Sequence, residues 1–215
     1  MSKDLDNAFL DVRNGFRLLF QYQTRVLQII KYIREHTPYT SMWGRRLFCN
    51  TIHTTRNSPD SEYANLAIPS NMWAWDFMYN YLFEFYFGVK KIGGQNVDMS
   101  VVQVSDDGYF KSAYHKPTRI NPTTFMSSED SNSWFIISAG TKAWFRDYEE
   151  NDCDKFLHKF IASQSDTNVY KDEDGAWFVS KKYRMQQFAS QIETDKIIAD
   201  FGKLVSETGG VTLFK

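Results

Sequence analysis

Apolar residues recur near the start of the chain at alternating steps of four and three: Leu5, Phe9, Val12, Phe16, Leu19, Gln23, Val26, Ile30 and Ile33, with Gln23 the one polar member. That spacing keeps returning to one side of an α-helix and predicts a helix of about 30 residues, roughly 45 Å long. Phe20 and Leu27 widen the apolar face beyond a strict coiled-coil seam. Asp4 or Asp6 suits the N-terminal cap, and Pro38 stops the helix soon after His36. A helix of this length outruns a small sheet, so part of its face is expected to meet another helix, within the chain or in a second copy.

The periodicity fails from Tyr39 to Ser70, where Gly44, Asn50, Asn57, Pro59 and Pro69 mark an irregular connection, with one short helical turn expected at Arg45–Cys49. The stretch WAWDFMYNYLFEFYF follows and puts an aromatic at every odd position from Trp73 to Phe87. As one strand it would run about 50 Å, well beyond the usual length. Asp76, Asn80 and Glu84 lie four apart, a polar stripe that suits a helix instead. A break near Asn80 reconciles the two patterns: 72–79 helical or irregular, then a strand at Tyr81–Lys90 with Phe83, Phe85 and Phe87 in the core.

Gly93-Gly94 then turns the chain into a strand at Val97–Ser105, and Asp106-Asp107-Gly108 into another at Tyr109–Ala113. Further strands are expected at Trp134–Ala139, Ala143–Arg146 and Trp177–Lys182, the last after a turn at Asp172–Gly175. Amphipathic helices are expected at Asp152–Ala162 and from about Arg184 to Glu207, the second ending at Gly209-Gly210. The sum is one α+β domain over 1–215: a long N-terminal helix (1–37), an irregular segment (39–70), a sheet region with one inserted helix (71–183) and a C-terminal helix (184–208). Its antiparallel β-sheet, a meander of about five or six strands, is covered by the long N-terminal helix and C-terminal helices.

Composition narrows the function classes. The 215 residues carry a net charge of −1, which argues against a globally electrostatic nucleic-acid binder. The 18 Phe, 12 Tyr and 6 Trp shift the core towards aromatic packing. Cys49 and Cys153 make no disulfide framework, the start MSKDLDNAF lacks a signal-peptide pattern, and no apolar run is long enough to span a bilayer. A cytoplasmic protein with free thiols and no membrane contact is the expectation.

Signatures of common chemistry are absent: no phosphate loop, no dinucleotide-binding glycine pattern, no HExxH, no nucleophile elbow, no CxxC. Cys49, His53, Cys153 and His158 have the stoichiometry of a zinc site but neither its order nor its spacing, so no metal and no cofactor is expected. A hydrolase built on Asp76 and Glu84 with His115 or His53 rests only on polar residues inside an apolar stretch, which a structural hydrogen bond explains as well.

Three clusters combine cations with an aromatic, the pairing that holds phosphates and stacks bases: Trp43-Gly44-Arg45-Arg46, the loop Lys111, Tyr114, His115, Lys116 and Arg119 around Pro117, and Lys181-Lys182-Tyr183-Arg184. The second is the preferred anion- or ligand-binding site, with Arg45 or Arg46 approaching it. Each is also what a solvated turn looks like. The leading expectation is a non-catalytic binding or regulatory module that engages a protein partner or itself through the N-terminal helix, with nucleotide or single-stranded nucleic-acid binding as the alternative.

Overall fold

The computed structural model describes residues 2–48, 77–112, 122–141 and 150–214, apart from the side chains of 2, 3 and 150–155. The elements run α1 (Ser2–Glu35), β1 (Trp43–Arg46), β2 (Leu82–Ile92), β3 (Gln95–Val104), α2 (Gly108–Lys111), β4 (Trp134–Gly140), α3 (Glu150–Ala162), β5 (Thr167–Lys171), β6 (Trp177–Arg184) and α4 (Gln191–Gly209). The six strands form one antiparallel sheet in the order β1-β2-β3-β4-β6-β5. The chain is thus α+β, as its hydrophobic pattern predicts.

Both faces of the sheet are covered. On one lie the last turns of α1, through Val26, Ile29, Ile30 and Ile33, and the apolar stripe of α4, through Ile197, Ile198, Phe201 and Val205. They meet Phe85 and Phe87 of β2, Met99 and Val101 of β3, Phe135 of β4 and Val179 of β6. On the other face, Tyr109 and Phe110 of α2 and Leu157, Phe160 and Ile161 of α3 pack on Leu82, Val102, Trp134 and Ile136. All seven residues of β4 are buried, because it has a helical layer on each side and a strand on each flank. Phe83, half-buried, also joins the α1/α4 core, so the odd aromatics of β2 are packing residues.

Gly88 (φ +99°) makes a bulge opposite β3, and the Trp43 ring lies where a side chain at that position would stand. Helix α4 starts at Ser190, whose hydroxyl accepts the Glu193 amide, and ends at Gly210 in the left-handed region (φ +67°).

Several local expectations are corrected. Residues 45–46 are in a strand rather than a helical turn, because β1 pairs with Phe83–Tyr86. The segment after Asp107 is helix α2, not a strand. The Asp106 carboxylate accepts the Gly108 amide and the Lys111 amide reaches the Asp107 carbonyl, so the aspartates start a helical turn that buries both Tyr109 and Phe110 on one side. Strand β6 runs on through Arg184, and a 3₁₀ turn at Met185–Phe188 separates it from α4. Strand β5 has no counterpart among the expected elements. Ala143–Arg146 and 72–76 lie outside the described residues.

Candidate functional site

Helix α1 divides in two. From Val26 on, its inner side is embedded through Val26, Ile29, Ile30 and Ile33; from Asp4 to Gln21 every residue except Gly15 is exposed. The heptad seam therefore dives into the core only at its end. Phe16 is 70% exposed and Phe20 74%, and Leu5, Phe9, Val12 and Leu27 are each about half open to solvent. These residues form a second stripe, Leu5, Phe9, Val12, Phe16, Phe20, Gln23 and Leu27, with an 11-residue repeat (5, 16, 27 and 9, 20). Eleven residues make almost three whole turns, so the stripe runs nearly straight along the helix, about 80° round from the buried side.

Gln23 marks where the stripe meets the body. Its amide exchanges hydrogen bonds with Gln103 of β3 at 3.1 and 3.3 Å. Gln103 is fully buried and also reaches Ser105 (3.1 Å), which accepts from Tyr22 (3.0 Å). The polar member of the seam thus satisfies a buried amide of its own sheet. Arg25, donating to the Phe188 carbonyl (2.8 Å), and Tyr32, donating to Asp195 (2.6 Å), fix the rest of α1 against the start of α4.

A second arrangement centres on Trp134. Residues 134, 182 and 184 share one face because Trp134 pairs with Arg184 and Ile136 with Lys182. The Arg184 guanidinium lies 4.5 Å from the indole centroid, with the Lys182 and Lys111 ammonium groups at 5.3 and 5.9 Å. Fully buried Asp107 accepts from the Trp134 indole N–H (2.7 Å), the Asn132 amide (2.8 Å) and Lys111 (2.6 Å). Lys182 is 4% exposed and donates to the carbonyls of Phe160 (3.0 Å) and Ser163 (2.9 Å) at the end of α3. Burial lowers its pKa, although the Asp166 charge opposes this.

Strand β5 starts at Thr167 opposite Lys181, so among the described residues β6 has no strand beyond it from residue 182 onward. There a polar cavity of about 420 Å³ opens, lined by Lys111, Trp134, Lys181, Lys182 and Arg184 together with Asp166 and Asp200. Lys181 and Tyr183 both donate to Asp200, at 2.7 and 2.6 Å. Burial raises the Asp200 pKa, but these two hydrogen bonds and the nearby lysine charges outweigh it, leaving it below the usual carboxylate value.

The structure therefore joins Lys111, from the second basic cluster, to the third cluster. It does not join Lys111 to the first. Arg45 and Arg46 sit on the opposite edge strand, three strand spacings or about 14 Å from β4. Paired with Glu84 and Phe83 respectively, they also face opposite sides of the sheet. Tyr114, His115, Lys116 and Arg119 lie outside the described residues, as do Asp76, Cys49, His53 and the Cys153 side chain. Glu84 is fully buried on the α2/α3 side of β2, and the His158 ring packs 4.9 Å from Phe110. Tyr183 is buried, while Trp43 stays exposed beside Tyr86.

Among the described residues no cluster of His, Cys, Asp and Glu could hold a metal, and no helix is long and apolar enough to cross a membrane. Sequence reasoning missed Asp107 and Trp134 as an anchor because the contact depends on α2 folding back over β4. The signal was present only as an Asp-Asp-Gly turn.

No curated protein and no solved structure matches the chain. A family model described as PM0109 matches residues 2–210, and the chain belongs to that family.

Proposed function

We infer that the protein is a non-catalytic interaction module that pairs with a second copy of itself through the exposed stripe of α1. The observation that carries this reading is the stripe itself. Seven apolar side chains, Leu5, Phe9, Val12, Phe16, Leu19, Phe20 and Leu27, stand open on one broad side of a helix that the described residues leave uncovered. Together they expose on the order of 700 Å², more than a monomer's ordinary apolar patch and close to one partner's share of a standard interface.

One feature favours a second copy in antiparallel orientation. The spacing of the stripe, 4-3-4-4-3-4 from Leu5 to Leu27, reads the same from either end. About a dyad at Phe16 it matches Leu5 to Leu27, Phe9 to Gln23 and Val12 to Phe20, as an isologous interface requires.

Disulfide trapping tests the orientation in a chain whose Cys49 and Cys153 are replaced by Ser. Leu5→Cys and Leu27→Cys chains, mixed and mildly oxidised, should give the mixed disulfide. Dimers of Leu5→Cys alone would overturn the antiparallel reading, and no cross-link in any combination would overturn pairing through the stripe.

A further inference from the structure

We propose that the cavity at the free end of β6 binds a small oxyanion, phosphate or a phosphomonoester, on Arg184, Lys182 and Lys111 against Trp134. Four cations line the cavity and only two carboxylates, and one of these, Asp200, is already engaged by Lys181 and Tyr183. Asp107 neutralises Lys111 from beneath. That leaves Lys182 and Arg184, neither of which has an ion pair among the described residues.

Lys182 is the more telling of the two. A buried ammonium is costly unless its charge is balanced, and here its hydrogen-bond partners are two neutral carbonyls, with the Asp166 and Asp107 charges and the Trp134 and Phe160 rings offsetting its charge only in part. An ammonium has three N–H groups, so one remains for a ligand. The Arg184 guanidinium lies over the indole, and no hydrogen bond engages it among the described residues, so its N–H edge can offer two parallel hydrogen bonds to an oxyanion. Sheet pairing sets both residues on one face, and the Asp107 bond to the indole N–H holds the ring against which they stand. The lining is polar and the volume of about 420 Å³ admits a phosphate or a small phosphomonoester. Among the described residues Asp166 is the remaining carboxylate of the lining, and its charge near Lys182 favours a compact anion held towards Arg184.

The test is calorimetric titration of the full chain with inorganic phosphate and, separately, with a nucleoside 5′-monophosphate, at an ionic strength held constant with sodium chloride. Saturable one-to-one binding is expected, weakened about tenfold or more by Arg184→Ala and little changed by Lys31→Gln on α1. Equal affinity for the two ligands identifies a free oxyanion site; tighter binding of the monophosphate identifies a phosphomonoester site. Arg184→Lys retains the charge without the planar fork; circular dichroism confirms folding in both variants, and it should also bind more weakly. Heats no larger than chloride dilution in the unmodified protein, or undiminished binding in both Arg184 variants, would overturn the site.

Discussion

Asp107 is a fully buried carboxylate that holds together a lysine, an indole and a backbone amide. Asp107→Asn keeps the shape but sets an amide group against donors and leaves Lys111 without its charge partner. It should lower stability by about 2–3 kcal/mol in urea unfolding, and a loss below about 0.5 kcal/mol would contradict the role given to it. Buried tyrosines set the alkaline limit. Burial raises the pKa of Tyr39, Tyr81 and Tyr183 above the ordinary value, and the hydrogen bond to Asp200 adds to the effect at Tyr183. Each stays protonated in the fold while the unfolded chain ionises near pH 10, so the unfolded state binds fewer protons and stability falls as pH rises past about 10. Lys182 works the other way: its lowered folded pKa means the unfolded chain holds the extra proton up to about 10.4, and its contribution rises with pH over that window. Burial raises Tyr22 and Tyr109 as well, so five tyrosines against one lysine make the net slope negative. The urea midpoint should drop between pH 8.5 and pH 10.5, and a constant midpoint would contradict this balance.

At the level of elements, α1 uses one helix for two purposes. Ile30 is fully buried between the sheet and α4, so Ile30→Ala should cost about 2–4 kcal/mol of stability. Phe16 touches solvent, so Phe16→Asp should leave the core's unfolding midpoint nearly unchanged while reducing the helical signal, as the unpaired first turns fray. Loss of the core transition in Phe16→Asp would show instead that the exposed turns support the fold. The helix was legible in the sequence because nine positions agree on one period. Where it leaves the body was not, since Leu5 and Ile33 sit equally well on the same seam and only the extent of the sheet distinguishes them. The α2 turn was misread for a related reason: Tyr109 and Phe110 are adjacent apolar residues in a four-residue segment, too short for a periodicity to separate helix from strand. Strand β5 escaped notice because it is an edge strand, with Val169 and Tyr170 exposed and little alternation to read.

Across the whole molecule, the α+β class, the antiparallel sheet and the glycine stop after α4 followed from pattern and turn chemistry alone. The candidate cavity did not. It gathers Lys111 from α2 and Lys182 and Arg184 from β6 around Trp134 of β4, a meeting fixed by strand order and not by spacing along the chain. Basic residues with a neighbouring aromatic were visible in each segment; which clusters converge was not. The stripe on α1 is the larger surface and carries the central claim, that this fold presents its N-terminal helix for pairing with a second copy. Light scattering during size-exclusion chromatography tests it most directly. The account predicts a mass twice that of the 25.2 kDa chain for the unmodified protein and a single-chain mass for Phe16→Asp/Phe20→Asp. A single-chain mass for the unmodified protein at tens of micromolar, or an undiminished dimer in the double variant, would contradict it.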